Sequence, residues 1–335
     1  MSRLKRVRPD EDPGFRRVRS GGSFRYLDAS GRRAGVRARR RILGLVIPPA
    51  WDDVWIAADP RAHIQAVGTD DAGRRQYIYH PGWRRRQDRR KFDRALALAT
   101  ALPSARARVT TALRTSEASR ELALAVAFRL LDEVAPRVGS VRYLSRHGSR
   151  GLTTLRRQDA AVTGSVVTFE FPGKSGQHVH LQVDDTDLAA AISRLTAGRP
   201  RASLLWHTRG RRQVALTPAE VNEYIYVLTG GRFTAKDFRT LRGTTCAAEA
   251  LAQIGPVDTK RERGDAERLA VQATAEALGN TSAVARGSYI DPRVFSKYRK
   301  GETLDLSVSP ETAIRRLLGQ PLSGADILAA EQRGG

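Results

Sequence analysis

The sequence predicts an α+β fold in two parts, a small antiparallel β domain followed by a mainly helical domain that carries a three-stranded β insertion. Three observations predict it. Before residue 80, short runs of β-branched and aromatic residues alternate with Gly, Pro and Asp turns. After residue 91, apolar residues recur at helical spacing. Between them, Trp83–Lys91 (WRRRQDRRK) is a cationic stretch that reads as a hinge, placing the domains at residues 23–90 and 91–335.

Residues 1–22 are rich in Arg, Pro and acidic residues, show no periodic apolar face and read as a mobile basic tail. The β domain then offers Val46-Ile47, Val54–Ile56, Ile64–Val67 and Gln76–Tyr79 as strands, with a short Arg-rich helix around Ala38–Leu43. In the second domain Phe92–Ala101 and Ser116–Val134 are helical, the latter through Leu122, Ala125, Val126, Leu130 and Leu131. Thr153–Leu155, Val166–Phe171 and His178–Leu181 alternate like strands and form the insertion. Helical patterns return at Leu188–Leu195, at Thr217–Leu228 and from Thr234 onward.

Among 335 residues, 58 Lys and Arg face 35 Asp and Glu, a net charge of +23, so the expected partner is a polyanion, nucleic acid first. No apolar run approaches the roughly 20 residues that span a bilayer, and the basic N-terminus is not followed by a signal-peptide core. The expectation is a soluble, cytoplasmic, nucleoid-associated monomer without a membrane contact. The single Cys246 allows no intramolecular disulfide and reads as core packing.

The chemistry centres on Tyr289, which follows a helical apolar pattern and precedes the turn-forming Asp291-Pro292. A phenol can act as a nucleophile where fixed cations gather the electrophile and stabilise developing charge. Arg137 stands in a Gly-containing loop just past a long helix, where its planar fork can meet phosphate oxygens. Thr234 and Asp237 form a capping box that starts a helix at Ala235, placing Lys236 and Arg239 in its first turns. There the helix dipole disfavours a cation unless an anion docks beside it.

Lys174 occupies the tip between two strands. The Gly173-Lys174-Ser175 triplet is not a nucleotide-phosphate loop, because Thr168 stands where the first glycine belongs and a strand, not a helix, follows. A hairpin lysine can instead serve as a proton donor beside a scissile phosphate. Asn280, after Gly279, reads first as a helix-ending turn, and its amide can also donate to a phosphate oxygen. His178 and His180 share a strand face but lack a third ligand, so no metal site is expected. In the β domain Arg74, Arg75, Gln76, Tyr77 and Tyr79 can touch bases and phosphates, or simply build an aromatic hairpin.

Seven segments then appear in the order of one family: Ile47–Ile56 (IPPAWDDVWI), Gly73–Tyr77 (GRRQY), Lys91–Asp93, Arg137–Gly139, Gly173-Lys174, Lys236–Thr240 (KDFRT) and Ser288–Pro292 (SYIDP). From about Ser23 to Lys300 the chain resembles the type IB DNA topoisomerases, in their compact bacterial and poxvirus form. The resemblance implies a two-domain clamp on double-stranded DNA and a helical catalytic domain shared in fold with tyrosine recombinases. It implies Tyr289 as nucleophile forming a 3′-phosphotyrosyl link, Arg137 and Arg239 bracing the non-bridging oxygens, and Lys174 protonating the departing 5′-oxygen. Gln76 and Tyr77 fall at DNA-contacting positions, and no nucleotide, cofactor or obligatory metal is implied. Asn280 departs from the pattern, since the family usually has histidine there. A tyrosine recombinase or a non-catalytic DNA-binding protein remains the alternative, the former disfavoured by the IPPAWDDVW-type β domain.

Overall fold

The computed structural model describes residues 3–115 and 117–319. The chain divides into two compact units, one up to Arg90 and one from Lys91.

The first unit holds β1 (Gly14–Ser20), β2 (Ser23–Leu27), α1 (Val36–Leu43), β3 (Asp52–Ala57), β4 (Ile64–Thr69) and β5 (Arg75–Tyr79). The strands form one antiparallel sheet in the order β2-β1-β3-β4-β5. Tyr26, Ile42, Val54, Ile56 and Ala66 make one small core, and Val7, Trp55, Ile64 and Val67 belong to another.

The basic tail expected over residues 1–22 is corrected by β1, which is a central partner in this sheet. The strand escapes an apolar-pattern reading because its ordering groups are arginines. Arg17 donates to the carbonyls of Pro48 (3.0 Å) and Trp51, and its guanidinium carbon lies 4.2 Å from the centre of the Phe24 ring. Val46-Ile47, expected as a strand, instead follows α1 as a loop, with Val46 at φ +49°.

The second unit's elements begin inside α2 (Pro81–Leu113), a helix that also contains the Trp83–Lys91 stretch expected as a hinge. Arginine is a good helix former, so its density there supports helix. There follow α3 (Arg120–Val134), α4 (Val141–His147), β6 (Ala160–Thr163), β7 (Val166–Pro172), β8 (His178–Asp184) and α5 (Thr186–Thr196). Then come β9 (Trp206–Arg209), β10 (Arg212–Ala215), α6 (Pro218–Thr229), α7 (Ala235–Ile254), α8 (Lys260–Ala277), α9 (Ser282–Ser288), α10 (Pro292–Tyr298) and α11 (Pro310–Leu318).

Helix α3 is the hub. Ser119 caps it by accepting from the Leu122 amide at 3.1 Å, and nearly every residue from Leu122 to Leu131 is buried. A helix apolar all round must be enclosed. It packs against α5, α6, α7, β8 and β9, and Phe128 meets Phe238 of α7 edge to face at 5.2 Å. Ser116, expected in this helix, lies outside the described residues.

The three-stranded insertion is present in the order β6-β7-β8, but its first strand is β6. Thr153–Leu155, expected to supply it, instead overlaps a 3-10 turn at Leu152–Thr154. The cause is local: the Thr154 hydroxyl bonds both the amide (3.0 Å) and the carbonyl (3.1 Å) of Gly151, and Thr153 donates to the Val138 carbonyl at 3.0 Å. The β9–β10 hairpin was not anticipated. Cys246 is half-buried on α7, where burial raises its thiol pKa. Among the described residues, no helix is long and apolar enough to cross a membrane.

Candidate active site

Three chain ends converge in the second unit. The first is the end of α3. Ala135 closes the helix in the left-handed region (φ 42°, ψ 54°), donating back to the Leu131 carbonyl at 3.1 Å, and Pro136 prevents continuation. The next residues are pinned to the 3-10 turn, since Leu152 and Thr153 donate their amides to the carbonyls of Arg137 and Val138, each at 2.9 Å. This contact requires glycine at 151, because a Cβ there would lie 2.5 Å from the Arg137 carbonyl oxygen.

The second is the start of α7. The Asp237 carboxylate accepts from the Thr234 amide and hydroxyl, both at 2.8 Å, so the capping box read from the sequence is present and the helix begins at Ala235. Asp237 is fully buried and paired with Arg94 at 2.8 Å. This fixes the first turn and turns Arg239 inward, where it is only 5% exposed. Its Nη1 donates to the Ala135 carbonyl (2.5 Å) and its Nη2 to the Leu278 carbonyl (2.8 Å). These carbonyls end α3 and α8, so the cation sits between two negative helix termini.

The third is the α8–α9 connection. Arg137 Nη2 donates to the Gly279 carbonyl (3.0 Å) and to Asn280 Oδ1. An arginine offers only donors, so Oδ1 must face it, and Asn280 Nδ2 is the free end of the amide. Burial, and secondarily the like charge of Arg239, pulls the Arg137 guanidinium below its ordinary pKa, with Tyr289 opposing.

Tyr289 follows α9 as its capping residue, with its ring centre 5.0 Å from the Arg239 guanidinium carbon. The tyrosine's backbone rests on α7. Thr244 Oγ1 lies 3.1 Å from the Tyr289 carbonyl oxygen and accepts from the Asp291 amide at 3.2 Å. A Cβ on Gly243 would stand 2.8 Å from Tyr289 Cβ. Residues 239 and 243 share one helix face, so a single stripe of α7 presents a guanidinium to the ring and a bare backbone to the chain beneath it. On the far side, buried Glu267 of α8 accepts from Arg286 Nη2 (3.0 Å) and from Arg299 Nε (2.7 Å) and Nη2 (2.9 Å), tying α9 and the end of α10 to α8.

Two donors in this cluster, Arg239 Nε and Asn280 Nδ2, are buried and have no hydrogen-bond partner. Among the described residues four other arginine Nε atoms share that state, so the donors gain meaning from their place: beside two guanidinium groups and near a phenol they can donate to an anion.

The structure therefore brings together Tyr289, Arg137, Arg239 and Asn280. It does not bring Lys174 to them. That lysine is exposed at the β7–β8 tip, where Gly173 donates to the Gln177 carbonyl at 2.7 Å, and among the described residues it has no contact with the four. Lys236 is exposed on the first turn of α7.

In the first unit the other candidates share one hairpin. The Asp70 carboxylate accepts from the amides of Ala72 (3.0 Å) and Arg74 (2.9 Å), from Arg74 Nε (2.9 Å) and from Gln76 Nε2 (2.8 Å). The Arg74 bonds chiefly hold its pKa down to about 2. Arg75 pairs with Asp10, and Tyr77 and Tyr79 stack with ring centres 5.9 Å apart.

Sequence reasoning missed Gly243, Thr244 and Glu267. Only Gly243 left a signal, since glycine inside a helix costs about 1 kcal/mol relative to alanine and so marks a close approach.

Residues 80–304 match the family model of the catalytic core of eukaryotic DNA topoisomerase I, and residues 23–70 match that of the N-terminal domain of bacterial DNA topoisomerase IB. The chain is also similar to DNA topoisomerase 1B of Acanthamoeba polyphaga mimivirus, 26% identical over 310 residues that cover 87% of this chain and 92% of the viral protein.

Proposed function

The chain belongs to the type IB DNA topoisomerases, and from that premise we propose that it relaxes supercoiled duplex DNA through a transient bond between Tyr289 and a backbone phosphate. The observation that carries this reading is the cluster itself: the Arg239 guanidinium lies 5.0 Å from the Tyr289 ring, and Arg137, near enough to feel the charge of both, is hydrogen-bonded to Gly279 and Asn280.

The phenolic oxygen attacks the phosphorus, the bond to the 5′-oxygen breaks, and a 3′-phosphotyrosine remains. Arg239, Arg137 and the Asn280 amide hold the non-bridging oxygens as charge builds on them. The phenol gives its proton to solvent water, and the departing 5′-oxygen gains one from Lys174 once the β7–β8 tip meets DNA. One phosphodiester is exchanged for another of similar energy, so the reverse attack reseals the strand without ATP, and torsional strain drives net relaxation. Guanidinium groups carry the charge that metal ions carry in many phosphoryl-transfer enzymes, so divalent cations are dispensable. The β4–β5 hairpin, with Arg74, Arg75, Gln76, Tyr77 and Tyr79, and Lys236 on α7 supply DNA contacts, and the protein acts as a monomer.

The test is relaxation of a supercoiled plasmid in EDTA without nucleotide, with SDS added to trap protein on DNA. Relaxation with a covalent adduct is expected on any plasmid. Activity only on plasmids bearing a special site would favour a recombinase, and binding without an adduct would leave a non-catalytic DNA-binding protein.

Three variants probe the site. Asn280→Ala removes one neutral donor and is expected to slow single-turnover cleavage about 10- to 100-fold, below the 10²–10³ typical of a stronger oxyanion contact. An unchanged rate would take Asn280 out of the chemistry. Gly243→Ala should gain helix propensity yet slow cleavage at least about 10-fold, because its methyl group must displace the Tyr289 backbone and small misplacements of reacting groups are costly. Glu267→Ala should slow cleavage by a similar factor with DNA affinity unchanged, together with a loss of about 1–3 kcal/mol in stability from the broken buried network. If Glu267→Ala destabilises the protein and cleavage of folded protein stays at the wild-type rate, Glu267 holds the fold and not the nucleophile.

A further inference from the structure

Strand β7 outruns one of its partners. It pairs with β8 as far as Pro172 opposite His178, but with β6 only from Val166 opposite Thr163 to Phe169 opposite Ala160. Glu170, Phe171 and Pro172 therefore continue toward the Lys174 tip with no β6 residue beside them. Another segment takes over that edge. In the loop after α4, the Arg150 amide donates to the Pro172 carbonyl at 2.7 Å. Lys174 stands two residues beyond that carbonyl.

The Arg150 side chain holds the same sheet. Its Nε forms an ion pair at 2.9 Å with Asp159, the residue directly before β6, and the two side chains are only 12% and 2% exposed. The Asp159 carboxylate also accepts from the Arg156 amide at 2.9 Å. Burial raises the Asp159 pKa, which the Arg156 amide and the Arg150 charge oppose. A closed pair of this kind is often no more stabilising than apolar residues of the same volume, and its best-attested use is to fix register.

The next residue meets a different partner. Gly151 lies so close to the Arg137 segment that a Cβ would stand 2.5 Å from the Arg137 carbonyl oxygen and 2.7 Å from the Gly139 nitrogen. Consecutive residues thus join two groups that the reaction uses together, with Arg150 at the base of the Lys174 tip and Gly151 against the loop that carries Arg137. The leaving and non-bridging oxygens belong to one phosphorus. The roots of the two cations must keep a set separation if both are to act on it.

We propose that Arg150 is a positioning residue for cleavage, which through the Pro172 carbonyl and the Asp159 carboxylate roots the Lys174 tip at a set distance from Arg137. The proposal rests on the reading of Lys174 as proton donor to the departing 5′-oxygen.

Leaving-group chemistry separates this role from a merely structural one. Sulfur is placed for the bridging 5′-oxygen at a cleaved position mapped from the trapped adduct. The phenolic oxygen then bonds to phosphorus as the P–S bond breaks, and the sulfur leaves with the electron pair as a thiolate that needs no proton. Single-turnover cleavage of the oxygen and sulfur duplexes is measured for the wild type, Lys174→Ala, Arg150→Met and Arg150→Lys, with folding followed by thermal melting. Lys174→Ala should lose about 10²-fold or more on oxygen and little on sulfur. Arg150→Met should lose about 10-fold on oxygen yet stay within about 3-fold of wild type on sulfur, because only the placement of the donor is disturbed. Arg150→Lys, which can still meet Asp159, should recover most of the oxygen rate. Should Arg150→Met fail to fold, Asp159→Asn, which keeps the shape of the carboxylate, carries the same expectations. A variant at the wild-type rate on oxygen, or slowed equally on both duplexes, would overturn the proposal. Lys174→Ala slowed equally on both would instead overturn the reading of Lys174 as donor, and the proposal with it.

Discussion

Tyr289→Phe is expected to bind DNA with wild-type affinity while forming no SDS-trapped adduct and losing about 10⁵- to 10⁶-fold in relaxation, the scale seen when an enzyme's nucleophile is removed. The substitution is unusually clean. Among the described residues the Tyr289 hydroxyl has no hydrogen-bond partner, whereas the ring packs against the core and stands beside Arg239. Phenylalanine keeps the ring, so stability should stay within about 0.5 kcal/mol of wild type. Adduct formation is read on a denaturing gel, affinity by anisotropy and folding by thermal melting. A phenylalanine variant that relaxes plasmid at the wild-type rate would remove Tyr289 as the nucleophile.

Arg239 carries the second large effect, and there function and fold are inseparable. Arg239→Ala should slow single-turnover cleavage by about 10³-fold or more, as expected when a charged donor is lost from developing negative charge. It should also destabilise the protein, because the buried carbonyls of Ala135 and Leu278 lose their donor, at about 1–3 kcal/mol for each one left unpaired. Arg239→Lys separates the two roles. An ammonium restores the charge, but its compact head does not reproduce the fork that reaches both carbonyls and still offers Nε. The lysine variant should recover part of the melting temperature while cleavage stays at least about 10²-fold down. An alanine variant that cleaves near the wild-type rate, measured where it is still folded, would exclude Arg239 from the chemistry.

Much of the fold could be read from the chain because local rules and tertiary structure agree. The capping box at Thr234 and Asp237 starts α7 where its chemistry requires, and the uninterrupted apolar character of Leu122–Leu131 marks the buried hub. The misreadings share a cause, since in each case polar groups do the ordering. β1 is held by arginine on carbonyls and on an aromatic face, and the 3-10 turn is held by threonine hydroxyls, neither of which an apolar period registers. The site divided in the same way. Arg137, Arg239, Asn280 and Tyr289 were candidates in the sequence, and in the structure they lie in one cluster. The surroundings were silent, because Glu267 looks like any solvated glutamate on a charged helix until α9 and α10 fold against it.

Leu278, Gly279 and Asn280 are consecutive, and between them they hold both arginines, Arg239 through one carbonyl and Arg137 through another and through the amide side chain. Chain length is therefore unforgiving at this junction. One residue inserted after Leu278 would shift the register of every one of these anchors at once, whereas a tag spliced at Gly164, an exposed turn with φ +62°, would lengthen only a loop tip.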